Sequence, residues 1–324
     1  MLRRLCLAFA ALLSLAHATA VTNAEGWPDH VVRVIVPYPP GGGGDGTARV
    51  VTQKLGEILK QTFVIENRAG ASGMVGASTV AHSVPDGYTL LICSPAEIAL
   101  APHLFKTMSY DPLKDLQPIS LIGWTPLVIA ANPAFPAATP DKLIELMKSQ
   151  ATNYAHPGIG SSQHLTMEYI KSLEGAQSTP VVYKGGAPAL SDTISGQVDF
   201  IIIGLPPTVP FLKSGALKGI AVTSKKRSPL FPDLPALAET KGLENIDTTN
   251  WFGILAPKGT PAAIVERLHK AVVEALQDDK VRHLLEAQAL EIVGDTPAEF
   301  SAFIRAESDK YGKIIEITGV KAEN

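Results

Sequence analysis

The chain has 324 residues, two cysteines and a formal charge of −3 at pH 7, with no extended basic run. Those values exclude a disulfide scaffold and argue against nucleic acid as a partner. A chain this long can bury a sizeable core and is expected to form two lobes. The N-terminus reads as a leader. Met1-Leu2-Arg3-Arg4 is a short basic region, Leu5–Leu15 is an apolar core too short to anchor in a bilayer, and Ala18-Thr19-Ala20 has the small-x-small pattern of a cleavage site. Residues 1–20 are therefore expected to be a signal peptide, with Ala24 as a second cleavage option, and the protein is expected to be exported. Cleavage leaves Cys93 without a cysteine partner and takes the charge to −5. Val198–Leu212 comes nearest to a second membrane-crossing stretch, but Pro206, Pro207 and Pro210 break it.

In chain order, Val31–Val36, Phe63–Glu66, Thr89–Cys93, Leu127–Ala130, Val181–Tyr183, Phe200–Ile203, Gly219–Thr223 and Phe252–Ala256 are β-rich and mostly apolar on both faces. That is the pattern of strands covered by helices on either side. Ala48–Lys60, Lys142–Ser149, His164–Leu173 and Ala262–Leu276 carry helix-period apolar positions. The alternation predicts an α/β protein with largely parallel sheets. Two segments repeat one device: a strand, then Thr139-Pro140 or Thr260-Pro261, then a helix. The Thr suits the N-cap and the Pro the first turn. Thr296-Pro297-Ala298-Glu299 adds a full capping box. The duplication suits a chain that crosses from one lobe to the other and returns. Lobe 1 is expected to comprise residues 25–124 and 248–324, lobe 2 residues 125–247, with Ser228–Pro235 as a surface loop.

The stretch Val31–Arg49 leads a strand through Pro-Tyr-Pro-Pro and four glycines into a helix bearing Asp45 at its entrance. Glycines admit a ligand close to the backbone, and the helix N-terminus favours an anion. Gly41, Gly43 and Gly46 satisfy a dinucleotide fingerprint, with Glu66 placed to hold a ribose. Export to a compartment poor in dinucleotide, and Pro39-Pro40 just ahead of the turn, count against it. A P-loop is excluded because no Lys-Ser/Thr follows the glycines. A second loop, Asn153–His164, again sets glycines before a helix, with Ser161 and Ser162 as caps, ligand donors or both. No nucleophilic triad is arranged around these serines, and His156 and His164 lack companions at metal-ligand spacing. Tyr183-Lys184-Gly185-Gly186 forms a third glycine turn, where Lys184 is either a solvated surface lysine or a carboxylate partner.

Eight motifs in register carry a resemblance. They include Tyr38-x-Pro40-Gly41-Gly42-x-x-Asp45, Glu66-Asn67-Arg68-x-Gly70-Ala71-x-Gly73, Asp86-Gly87-Tyr88-Thr89-Leu90 and Gly160-Ser161-Ser162-x-His164-Leu165. Tyr183-Lys184-Gly185, Gly196-Gln197-Val198-Asp199, Ala221-Val222-Thr223-Ser224 and Trp251-Phe252-Gly253 continue the match. Together they resemble the solute-binding receptors of tripartite tricarboxylate transporters, the TctC-like or Bug family. The resemblance implies a two-lobed periplasmic-binding-protein fold of type II, α/β, with two mixed sheets and a ligand cleft between lobes. It implies capture of a small organic carboxylate in the periplasm for delivery to membrane transporter subunits. A ligand-presenting sensor for a membrane kinase is the alternative, and an exported enzyme acting on a carboxylate is the rival from another class. Carried over by position, Tyr38, Pro40, Gly41, Gly42 and Gly43 form the first half of the carboxylate site, and Gly160, Ser161 and Ser162 the second. Asp45 falls to loop structure, since a free carboxylate would repel the ligand. No catalytic residue, metal or cofactor is implied, nor any nucleic acid, and the protein is expected to be a monomer.

Departures from the family pattern mark the far end of the ligand. Ser94-Pro95-Ala96-Glu97 stands where small polar residues are usual, His156 replaces a serine, and Ile203 and Gly204 replace an acid and an amide. This wall should be apolar and roomy. If Glu97 faces solvent, an uncharged or aromatic monocarboxylate or a longer diacid is favoured; if it points inward, a cationic or amide-bearing acid is.

Overall fold

The computed structural model describes residues 26–321, so the expected signal peptide lies outside the described residues. Strands β1 (Val32–Val36), β2 (Phe63–Asn67) and β3 (Thr89–Cys93) pair in parallel, with β1 central. Helices α1 (Gly43–Leu59) and α2 (Met74–Ala81) make the crossovers. A π-helical turn (Ala96–Leu100) and the short α3 (Ala101–Leu104) and α4 (Pro112–Asp115) lead into β4 (Leu116–Ala131). The middle of the chain supplies α5 (Pro140–Ser149), β5 (Asn153–His156), α6 (Ser162–Glu174), β6 (Thr179–Val182), α7 (Gly186–Ile194) and β7 (Phe200–Gly204). It ends with α8 (Val209–Ser214) and β8 (Lys218–Val222). The chain closes with β9 (Thr249–Pro257), α9 (Ala262–Gln277), α10 (Asp279–Glu286), β10 (Glu291–Ile292) and α11 (Pro297–Thr318).

β4 organises the molecule. Its residues Leu116–Pro126 pair with β9, and from Leu127 onward it pairs with β7 and β8 instead. The two expected sheets therefore join into one strand path, β2-β1-β3-β9-β4-β7-β5-β6. The expectation of largely parallel sheets needs correction. Pairing is parallel for β1, β2 and β3 and for β5, β6 and β7, but every contact of β4, and β9 with β3, is antiparallel. A strand that leaves one half and a strand that returns to it lie side by side in opposite directions. The first half of β4 escapes sequence detection because Pro118, Ser120 and Gly123 interrupt its apolar run. Register shifts at Pro118/Ser120 and Leu121/Gly123 accommodate them.

Both faces of each half are covered, as the two-sided apolar strands require. Val32, Val34 and Val36 pack with Val51 and Leu55 of α1 and Leu268 and Val272 of α9. Ile35, Leu91 and Leu255 meet Phe300, Ile304 and Tyr311 of α11 on the opposite face. In the middle segment, Leu127, Ile129, Phe200 and Ile202 pack under α5 and α6, while Val128, Ala130 and Ile201 face Ala189 and Leu190 of α7. This period-2 division between two apolar faces separates a buried strand from a half-exposed one.

The capping signals divide two to one. Thr139 accepts the Lys142 N–H at 3.3 Å with Pro140 in the first turn, and Thr296 with Glu299 forms the complete capping box. Thr260 does not cap. Its hydroxyl donates to the Pro257 carbonyl at 2.8 Å and the helix starts one residue beyond Pro261, without a side-chain cap.

Candidate functional site

Between the two halves lies a cavity of about 940 Å³. Three helix N-termini open onto it, each delivered by a strand-to-glycine turn. After β1, the loop Tyr38–Gly42 delivers α1, whose N-cap Gly42 offers no side chain, so the backbone itself faces the cavity. A β-carbon on Gly43 or Gly44 would sit 3.3 or 3.2 Å from the Phe252 ring, so these glycines let the helix start press onto β9. Asp45 is turned away from the lining: its carboxylate takes the Gly41 N–H (3.0 Å), Arg49 (2.9 and 3.0 Å) and Asn67 Nδ2 (3.0 Å). These bonds hold its carboxyl below the usual range against the effect of burial. Asn67 also donates to the Tyr38 carbonyl at 2.9 Å. Asp45 thus shapes the loop, as its sequence context suggests.

In the second half, Ser161 caps α6. Its Oγ accepts the His164 N–H at 3.2 Å and donates to the Gly158 carbonyl at 2.7 Å. That leaves Ser162, at the first helical position and 3% exposed, as a hydroxyl on the cavity wall without a capping duty; its Oγ lies 3.2 Å from Gln163 Oε1. The third N-terminus is α7, capped by Gly185 at φ 109° with no side-chain bond. Lys184 stands beside it, exposed at the mouth. Ser72 Oγ donates to the Ile159 carbonyl at 3.0 Å, tying the two halves at the cavity rim.

Of the residues singled out in the sequence, Tyr38, Pro40, Gly41, Gly42, Gly43, Ser94, Ser161, Ser162, Lys184, Ile203 and Gly204 line the cavity. Glu97, His156 and Gly160 do not, and each needs a physical reason. Gly160 (φ 72°) packs against Leu104, where a β-carbon would be 2.9 Å from Cδ1. His156 is the last residue of β5 and fully buried; its Nδ1 donates to the Gly158 carbonyl at 2.9 Å, and its ring stacks on His164 at 4.6 Å. Burial and the neighbouring imidazole push its pKa down to about 4, so it is neutral and shapes the loop. Glu97 faces neither solvent nor the cavity. It is fully buried in the π-helical turn, behind Tyr38 and Ser94.

Sequence reading missed much of the apolar wall. Phe252, Phe211, Leu190, Ile194, Pro206 and Pro207 line it together with Ile203. The Trp-Phe-Gly motif of β9 was visible as a motif, but only the fold brings Phe252 to the helix start. Among the described residues the lining includes one charged side chain, Lys184, and no Asp or Glu. Glu66, placed by the sequence to hold a ribose, is paired with Arg33 at 2.7 and 3.0 Å and does not line the cavity, which removes the dinucleotide reading. Among the described residues no group of three His, Cys, Asp or Glu has metal-binding proximity, and no helix is long and apolar enough to cross a membrane.

Known proteins share both sequence and shape with this chain. The protein BugT of Bordetella pertussis is 35% identical over 98% of each chain. The solved structure of Rpa4515 from R. palustris with adipate is 34% identical, with a TM-score of 0.86 over 91% of this chain and 99% of that one. The periplasmic binding protein BugD superposes with a TM-score of 0.85 at 32% identity, over 92% of this chain and all of that one. The fold is thus that of periplasmic binding proteins. The family model described as tripartite tricarboxylate transporter family receptor matches residues 47–320. On the match across that span, the chain belongs to the TctC family of tripartite tricarboxylate transporter receptors.

Proposed function

We propose that the protein is a periplasmic receptor that traps a small organic carboxylate between two lobes and presents it to membrane transporter subunits. One observation carries the reading: three helix N-termini and Lys184 converge on a cavity whose described lining holds no acid. That field favours an anion. The lobes are residues 25–124 with 248–324, and residues 125–247. The exchange of β4 partners between Pro126 and Leu127 supports this boundary. The carboxylate is held by the first glycine loop and by Ser162, with the remainder of the ligand against the apolar wall. Adipate in Rpa4515 supports a carboxylate as the ligand class.

Two expectations test the proposal. Benzoate, phenylacetate or adipate should bind at least tenfold more tightly than glutamate in calorimetry, because no lining acid is available to a buried ammonium group. Tightest binding by glutamate in that panel would overturn this ligand assignment. Replacing Ser162 with alanine should weaken carboxylate binding by roughly 1.5–3 kcal/mol, the range for a hydrogen bond to a charged group. It should leave the melting temperature nearly unchanged, because Ser161 is the cap. Ser161→Ala should do the reverse, costing about 1 kcal/mol of stability.

A further inference from the structure

Glu97 does not line the cavity, yet its carboxyl lies directly behind two residues that do, Tyr38 and Ser94. Glu97 Oε2, Tyr38 Oη and Ser94 Oγ form a closed triangle with edges of 2.7, 2.8 and 3.0 Å, and Oε1 accepts the Ser94 N–H at 2.6 Å. With the carboxyl ionised, two hydroxyl protons serve three oxygens, and both are drawn towards the acid. With the carboxyl neutral, a third proton enters the triangle, and one hydroxyl is free to donate into the cavity. Charge acts in the same direction. No Lys, Arg or His pairs with Glu97 among the described residues. An unpaired buried carboxylate behind the wall of an anion site repels the incoming anion.

We propose that carboxylate capture in this cleft is coupled to uptake of one proton at Glu97, which turns the floor formed by Tyr38 and Ser94 from acceptor to donor. The inference rests on the carboxylate reading above. Burial holds the Glu97 carboxyl at about 7, so the coupling emerges in the neutral to alkaline range. His103 of α3, on the next helix, is bonded to Ser308 Oγ at 2.8 Å, and the titratable side chains that feel the Glu97 charge do not compete there. Tyr38 follows β1, Cys93 ends β3, and Tyr110 donates to the Glu97 carbonyl; burial pushes all three up and keeps them neutral. On α11, which packs on the same turn, Tyr311 is pushed up as well, and Glu307 is occupied by Trp251 Nε1 and Lys310. The segment ending at Gly73 brings no ionisable group against Glu97: a β-carbon there would sit 2.8 Å from Oε2. Across the cleft, Lys184 is the cation, and His156 and His164 are both pushed down by burial and stay neutral.

The test is calorimetric titration of the purified protein with the tightest-binding member of a panel of benzoate, phenylacetate, malate, adipate and glutamate. It is run from pH 6 to 8.5 in phosphate and in Tris, which differ in ionisation enthalpy. Affinity should be nearly flat below pH 7 and fall about tenfold per pH unit above it. The binding heats in the two buffers should report uptake approaching one proton at pH 8.5. Glu97→Gln should bind without uptake and without the pH slope. Equal heats with a flat affinity would overturn the inference alone, as would a slope that persists in Glu97→Gln. No binding by any panel member would overturn the carboxylate reading and the inference together. Should Glu97→Gln fail to fold, the two-buffer comparison on the unaltered protein still decides.

Discussion

Replacing Gly253 with alanine is expected to destabilise the protein by about 3 kcal/mol, at the upper end of what overpacking costs in a closed core. Gly253 lies in β9 between Leu121 of β4 and Cys93 of β3. α11 brings the tip of the Phe300 ring over this point, and a β-carbon on Gly253 would lie 2.6 Å from Phe300 Cε1 and 3.1 Å from Cε2. Phe300 cannot retreat, because it is fully buried and Trp251 meets it edge-on with ring centroids 6.0 Å apart. Chemical denaturation of the ligand-free protein measures the loss. The mechanism is specific: Gly253→Ala combined with Phe300→Leu should lose clearly less than the sum of the two single changes, since both act on one contact. Additive losses would mean that the glycine serves the backbone and not the ring above it.

The second large effect is a dependence of stability on pH that runs opposite to ordinary acid denaturation. Glu97 titrates at about 7 in the folded protein because of burial, against 4.5 for the unperturbed group. Between those values the folded state holds the proton more firmly than the unfolded chain, so stability falls as pH rises from about 4.5 to about 7 and then levels off. The difference corresponds to roughly 3 kcal/mol at full ionisation. Asp295, held up at about 6 by burial although it accepts the Leu121 N–H at 2.7 Å, contributes with the same sign at lower pH. Denaturant midpoints measured from pH 4.5 to 8.5 should show the decline, and Glu97→Gln should remove most of it. Equal slopes in the two proteins would show that Glu97 is not the responsible acid. This readout uses no ligand, so it is independent of the binding experiments.

A buried acid behind an anion site is unfavourable for the fold, and its neighbours compensate in part. The Ser94 N–H, the Ser94 hydroxyl and the Tyr38 hydroxyl all bond to the same carboxyl. The same bonds fix Tyr38, whose backbone carbonyl is held by Asn67, and so connect the acid to the loop that begins the first helix. Stability, loop geometry and the hydrogen-bond character of the cleft floor meet in this cluster.

Local sequence chemistry was sufficient wherever the decisive interactions span a few residues. The valines of β1, the glycines that open α1, the Ser161 cap and the Thr296–Glu299 capping box are all readable because period, capping geometry and backbone freedom are short-range properties. The motifs identified the receptor family for the same reason, as each is a strand end and turn that positions a helix. What only the tertiary structure decided depends on neighbours distant in the chain. Pairing of β4 first with β9 and then with β7 and β8 cannot be read from a strand interrupted by Pro118 and Gly123, because its partners lie far along the sequence. Thr260 looked like a cap but turned to Pro257. Phe252 reached the cavity wall because β9 lies against the start of α1. Whether Glu97 met solvent, ligand or protein was undetermined by its local sequence. Tyr38, 59 positions earlier in the chain, shares its carboxyl with Ser94, and that packing took the acid out of both the water and the cleft.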